Sequence, residues 1–222
     1  MAAIATASEG LLTEGATARA YRVLERLIVT LELAPASLTT EAMLVERVAL
    51  GRTPVREAIQ RLAWEGLVEV RPRAGLAITP LHAADWLRVI DARRGVESVL
   101  ARSAARFVTR EAADRFSQAA IAMQKAVIAG NAITFLEADK AFDEALALAA
   151  DNVFAARLAA PLQTHSRRFW FRYQADSGLA EAADGHLGLI HAILDGNEDE
   201  AAAAADRLMA VLRRRAEAAA RP

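Results

Sequence analysis

The sequence contains no cysteine, which removes disulfides, thiolate metal sites, iron–sulfur clusters and thiol catalysis from consideration. Aromatic residues make up only 5% of the 222 positions and β-branched residues are sparse beside 54 alanines, so an all-β fold is excluded and helix is favoured. Lysine is nearly absent: 25 of the 27 basic residues are arginine. The 28 acidic residues leave a net charge of −1, so any nucleic-acid contact must come from a local basic patch. No apolar stretch reaches the ~18 residues of a membrane span, and the segment from Met1 to Gly15 lacks the basic start and long apolar run of a secretion signal. A cytoplasmic protein with no membrane partner is expected.

Apolar residues recur with helical spacing at Ala20, Val23, Leu24, Leu27, Ile28 and Leu31, which predicts a first helix over about 16–31 after a flexible arm over 1–15. Thr39 or Thr40 can cap a short second helix to Val48. Thr53-Pro54 reads as N-cap and first helical residue of a third, which buries Val55, Ala58, Ile59 and Leu62 and stops at Gly66. Leu67–Val70 and Leu76–Thr79 alternate around a glycine-containing loop and predict a hairpin. Three helices and a hairpin, in that order, are a winged helix-turn-helix over 16–80.

After Pro80 the pattern becomes nearly continuous amphipathic helix. Six helices of an antiparallel all-α bundle are predicted, at about 83–107, 111–129, 132–149, 153–175, 179–195 and 198–219. The breaks fall at Thr109, Gly130-Asn131, Asp151-Asn152, Ser177-Gly178 and Gly196-Asn197. Pro161 is expected to kink the fourth of these helices, and Gly95 to weaken the first. The predicted class is mostly α: a winged helix followed by a helical domain over 81–222.

The stretch Gly51-Arg-Thr-Pro-Val-Arg-Glu-Ala-Ile-Gln-Arg-Leu-Ala-Trp-Glu-Gly66 carries the most chemistry. Arg52, Arg56 and Gln60 are spaced by four and share the face opposite the apolar stripe. Arginine reaches guanine O6 and N7 in a bidentate way and glutamine reaches adenine, while Thr53 and the first-turn N–H groups suit a phosphate. From Arg52 to Arg73, five arginines stand against three glutamates, a local charge of +2.

Residues 53–68, Thr-Pro-Val-Arg-Glu-Ala-Ile-Gln-Arg-Leu-Ala-Trp-Glu-Gly-Leu-Val, resemble the signature of GntR-family bacterial transcription regulators. Arg71-Pro72-Arg73-Ala74-Gly75 is similar to their wing tip. The resemblance implies DNA contacts from Arg52, Thr53 and Arg56 on the recognition helix and minor-groove or phosphate contacts from the wing around Arg73 and Gly75; Pro54, Gln60 and Arg71 complete the expected DNA-binding set. Gly51, Glu32, Ala36 and Ala42 stand where that family usually has serine, glycine, glycine and a basic residue.

The second half resembles the all-helical FCD effector domain of the FadR-type subgroup, through Arg93-x-x-x-Glu97, Asp139-x-x-Phe142 with the apolar run to Asn152, and His186 with Ala192 and Gly196-Asn197. The resemblance implies a bundle pocket in which one Asp and three His often hold a divalent metal, with a ligand carboxylate bridging the metal and a nearby Arg. Carried onto this sequence, the Asp is Asp139 and one His is His186, but the other two positions are Asp143 and Leu208. Asp139, Asp143 and His186 suit a weakly held hard ion such as Mg²⁺ or Mn²⁺ and not tetrahedral zinc, so no tightly bound cofactor is expected.

Arg93 interrupts the apolar stripe of Trp86, Ile90, Val96 and Leu100. It keeps its charge when buried and needs an anion: Glu97, Asp139, Asp143 or a ligand carboxylate. A small organic acid as effector is the corresponding expectation, with Arg93, Asp139, Asp143 and His186 around it. His165, Arg167, Arg168, Trp170, Arg172 and Tyr173 form a basic-aromatic cluster, mostly read as arginines snorkelling over the core.

The leading expectation is thus a regulator that binds an operator in double-stranded DNA as a homodimer, and not an enzyme. Two alternatives stand beside it. In one the helical domain has lost its effector and only dimerises. In the other Asp139, Asp143 and His186 serve a metal-assisted hydrolase, which leaves residues 16–79 without a purpose.

Overall fold

A computed structural model describes residues 15–174 and 178–221. The arm expected over 1–15 lies outside the described residues except for Gly15. The chain divides into two compact units with the boundary between Leu81 and His82.

The first unit contains α1 (Ala16–Val29), β1 (Leu38–Thr39), α2 (Glu41–Val48), α3 (Arg52–Trp64), β2 (Val68–Arg71) and β3 (Gly75–Ile78). Ala20, Leu24 and Ile28 of α1, Leu44 of α2, and Val55, Ala58 and Leu62 of α3 close one core with Leu67 and Ile78. The sheet has three antiparallel strands in the order β1-β3-β2, with Thr39 opposite Leu76 and Val68 opposite Ile78. The expected hairpin is therefore joined by a third strand, and Leu38-Thr39 pairs before the helix that Thr40 caps, its hydroxyl accepting from the Met43 N–H at 3.2 Å.

α3 starts earlier than expected. Gly51 is its cap and Arg52 its first residue, which puts Pro54 third, where its missing N–H is one the helix could not have used. Thr53 is thus inside the helix and not its cap. In the loop before β1, Ala36 adopts φ 63°, and Leu31 rather than Glu32 is the other left-handed residue. Left-handed backbone at a residue with a Cβ costs roughly 1–2 kcal/mol, which accounts for glycine being usual in this loop.

The second unit consists of α4 (Ala83–Phe107), α5 (Arg110–Ala129), α6 (Ala132–Ala149), α7 (Val153–Tyr173), α8 (Gly178–Leu194) and α9 (Glu198–Ala219). Four of the expected breaks are N-caps: Thr109, Asn131, Asn152 and Asn197 each accept backbone N–H bonds from the following turn at 3.0–3.2 Å. α7 continues unbroken through Pro161, and α4 through Gly95.

α4 packs against α6, α7, α8 and α9, and its Ala101, Ala104 and Ala105 are buried, as are Ala201, Ala204 and Ala205 of α9. These small side chains let the α4 and α9 backbones approach, and exposed pairs such as Arg94–Asp206 and Arg106–Glu198 flank the seam. The core also holds stacked aromatics: Trp86 lies on Phe169 and Tyr173 at 6.1 Å, and Phe135 on Trp170 at 5.3 Å. Among the described residues, no helix is long and apolar enough to cross a membrane.

Candidate functional site

Two constellations stand out, one in each unit. In the first, α3 buries Val55, Ala58, Ile59 and Leu62 and turns Arg52, Thr53, Arg56 and Gln60 to solvent. α1 and α3 are held in register by Thr17, which donates to Glu57 at 2.6 Å. Tyr21 donates to Glu65 at 2.7 Å beneath the Arg61 guanidinium, 3.7 Å from the ring centre.

The basic residues of this surface differ in how they are engaged. Arg56 Nε donates to Glu41 Oε2 at 3.1 Å, and Arg71 donates twice to Glu69 at 3.1 and 2.9 Å. Among the described residues, Arg52 and Arg73 make no ion pair or side-chain hydrogen bond. Arg73 sits at φ 65° in the turn Arg71-Pro72-Arg73-Ala74, closed by the Ala74 N–H donating to the Arg71 carbonyl at 3.0 Å. That is the third position of a type II turn, where glycine is favoured. Gly75 has a structural reason to be glycine: its φ is 91°, and a Cβ would lie 2.7 Å from the Thr39 carbonyl oxygen of β1.

The second constellation lies within the bundle. Arg93 is buried, and its Nε and Nη2 donate to Glu97 Oε1 at 2.9 and 2.7 Å; Gln163 Nε2 donates to the same oxygen at 3.1 Å. Of the anions open to Arg93 from sequence, the structure gives it Glu97. Asp139 and Asp143 of α6 are joined by Arg167 of α7, whose Nη1 bonds Asp143 Oδ2 and reaches Asp139 Oδ2 at 3.4 Å, while its Nη2 donates to Thr164 at 3.1 Å. Asp139 Oδ1 is 2.7 Å from His186 Nε2, and His186 Nδ1 is 2.7 Å from the Ala182 carbonyl oxygen. Edge-on contacts to Phe142 and Phe135 fix the imidazole plane.

Arg167 and Arg168 are buried, 7% and 1% exposed, as is Trp170. The snorkelling expected of them is wrong at these positions; only Arg172 of the three arginines in that cluster is exposed. Arg167 is the candidate-site residue that the sequence pattern set among the snorkelling arginines. Its available signal was its place on the stripe Ala155, Ala159, Gln163, Arg167, Trp170, a helical row that runs into the core.

Leu208 is buried, and a Cβ on Gly185 would fall 2.9 Å from its Cδ1, so Leu208 packs closely against α8 one residue from His186. The space left among Arg93, Asp139, Arg167, Trp170, His186 and Leu212 is about 20 Å³, room for one or two waters.

Burial alone would raise the Asp139 carboxyl. The hydrogen bond and charge of His186, with Arg167 and Arg93, outweigh it and hold Asp139 down at about 2. Burial and the Asp139 charge push Asp143 up to about 7, against the pull of Arg167 and Arg93. Burial opposes the charged form of His186, but the Asp139 hydrogen bond and charge more than offset it, so its pKa is raised.

These shifts set a pH dependence. From the ordinary carboxyl value of 3.8 up to about 7, folded Asp143 keeps a proton that the unfolded chain has released, so raising pH through that window costs stability. His186 acts in the same sense: its contribution is complete below 6.5 and is lost as pH climbs through its raised folded value. Asp139 acts oppositely, losing its contribution only as pH falls from 3.8 towards 2. The urea midpoint of the helical unit, read by fluorescence of buried Trp86 and Trp170, is expected to fall between about pH 5 and about pH 8. Asp143→Asn should flatten the part below about pH 7. A wild-type midpoint that is level across this range would contradict the assigned shifts.

Comparison with known proteins decides the family. The gntR family of bacterial regulatory proteins matches residues 16–78, and the FCD domain matches residues 88–220. The chain belongs to this family. It is 30% identical over 139 residues to the HTH-type transcriptional repressor RspR of Escherichia coli K12, spanning 63% of this chain and 61% of that protein. The chain thus covers about three fifths of that curated relative. Among solved structures, E. coli McbR/YncC shares the fold with a TM-score of 0.77 at 16% identity, over 91% of this chain and 99% of that one. A GntR transcriptional regulator from Rhodococcus sp. RHA1 gives 0.72 at 19% identity, over 92% and 99%.

Proposed function

We propose that this GntR-family transcription regulator binds a palindromic operator as a homodimer and is controlled by a small organic acid bound in the helical domain. The observation that carries the DNA-reading part is the exposed face of Arg52, Thr53, Arg56 and Gln60 on α3, with Arg52 and Arg73 left unengaged where most other arginines are paired. α3 enters the major groove, where Arg52, Arg56 and Gln60 address base edges and Thr53 with the first-turn amides addresses a phosphate. The wing carries Arg71 and Arg73 to the adjoining backbone or minor groove, and Gly75 lets it pair with β1. One such helix reads only a few base pairs, so specificity requires two half-sites related by a two-fold axis about one helical turn apart, ~34 Å.

Regulation requires the effector to favour one state of the protein over another. Every charged group in the bundle cluster already has an internal partner, and the space between them is water-sized. An organic acid that enters therefore displaces a carboxylate from Arg93 or Arg167, and the rearrangement of α4 or α7 that follows supplies the coupling. The same small space favours a second reading, in which the helical domain only dimerises. Either way the chain acts in the cytoplasm and catalyses nothing.

The test is to sequence genomic DNA retained by the purified protein, then to titrate the enriched duplex with and without a panel of carboxylic acids. A two-fold enriched sequence released by one acid is the expected result. Retention without sequence preference would overturn the reading, and a specific operator that no acid releases would leave the dimerisation-only version.

A further inference from the structure

The FCD resemblance brings with it a divalent metal, and the side chains at that place in this protein do not fit one. Among the described residues, no three His, Asp or Glu side chains gather closely enough to hold an ion. The two nearest carboxylates, Asp139 and Asp143, converge on the Arg167 guanidinium, which lies between them. His186 offers no lone pair: its Nδ1 faces the Ala182 carbonyl and its Nε2 faces Asp139, both at 2.7 Å and both acceptors, so the ring donates in both directions. The remaining corner is filled by Leu208, for which Gly185 makes room.

We infer that Arg167 is the resident cation of this site, doing with a guanidinium what a divalent metal does elsewhere, and that the helical domain works without metal. Charge balance supports this. Arg93 is paired with Glu97, and Arg167 and doubly donating His186 with Asp139 and Asp143, so that with Asp143 ionised three cations stand against three carboxylates. A divalent ion added to this set would leave a buried charge of +2 with no anion to meet it, which a low-dielectric interior resists strongly. Unlike a metal ion, the guanidinium has fixed planar directions. Nη1 is committed to the two aspartates and Nη2 to Thr164. A carboxylate that takes the Nη1 edge of Arg167 must therefore displace Asp143, whereas on a metal it would replace a water.

The inference rests on reading this cluster as the effector site, and the experiment separates the two. The full chain is purified from metal-supplemented culture without a metal-affinity step. Its content of Zn²⁺, Ni²⁺ and Mn²⁺ is measured, and its melting temperature is followed with a chelator and with each ion added. Far less than one ion per chain, and a melting temperature that neither chelator nor metal moves, are expected. One ion per chain that survives dialysis, or a fall in melting temperature with chelator, overturns the inference. Arg167→Ala leaves Asp139 and Asp143 facing each other without their cation, so it should melt lower than wild type and be raised again by Mn²⁺. An Arg167→Ala protein that melts like wild type and ignores Mn²⁺ also overturns it. If Arg167→Ala does not fold, Arg167→Lys, which keeps the charge without the bridge, should fold, melt below wild type and be unmoved by Mn²⁺; a lysine variant that melts like wild type or is raised by Mn²⁺ overturns the inference. Operator binding by the wild type, measured on the same preparation, reports on the regulator reading independently of metal content.

Discussion

Replacing Glu97 by alanine is expected to destabilise the helical unit by about 3–5 kcal/mol, because it strands the Arg93 guanidinium in the core with its charge intact. Glu97 Oε1 accepts both Arg93 bonds and the Gln163 amide, and the pair is 7% and 4% exposed. Glu111 and Arg115 on α5 provide the control: the same i, i+4 spacing, but 71% and 52% exposed. Glu111→Ala should cost no more than about 0.5 kcal/mol. Arg93→Met combined with Glu97→Leu removes both charges and should recover most of the loss, as apolar replacements of buried pairs do. Urea unfolding followed by Trp86 and Trp170 fluorescence measures all three. Should Glu97→Ala cost no more than Glu111→Ala, Arg93 is solvated and available to a ligand without displacement.

The winged helix and the bundle were legible because their signals are local. Helical spacing placed Ala20, Leu24 and Ile28 on one face, and Thr109, Asn131, Asn152 and Asn197 are cap residues whose bonds reach only two or three positions ahead. β1 was not legible, because two residues carry no periodicity and Leu38-Thr39 becomes a strand only by pairing with β3 nearly forty positions later. The α3 start was misplaced for a related reason: proline is favoured first in a helix, but the rest of the first turn tolerates it equally on hydrogen-bonding grounds.

The bundle site was half legible. Asp139, Asp143 and Arg93 could be set on faces of their own helices, but which anion meets Arg93 depends on how α4, α6 and α7 come together. Arg167 illustrates the limit. Between His165 and Tyr173, basic and aromatic residues alternate so densely that an amphipathic surface helix and a buried one share the pattern. The two aspartates across the bundle decide it by making the arginine's burial affordable.

On the surface proposed to read DNA, the arginines with no internal partner should matter most. Arg52→Ala is expected to weaken operator binding by about 1–3 kcal/mol, roughly 5- to 150-fold, and to relax base preference at one position in each half-site. Arg56→Ala should cost less by the roughly 0.2–1 kcal/mol that Arg56 gives up on leaving Glu41, an exposed pair at 3.1 Å. Arg73 separates binding from folding. Its φ of 65° stores left-handed strain of about 1–2 kcal/mol, which glycine removes, against about 0.4–1 kcal/mol of extra unfolded-chain entropy. Arg73→Gly should therefore leave the winged helix at least as stable as wild type. It should bind every duplex more weakly and lower the salt slope by about one. Fluorescence anisotropy across a salt series, on operator and on scrambled duplex, distinguishes the three. Wild-type affinity for operator in Arg52→Ala at matched salt would mean that this face of α3 does not read the bases.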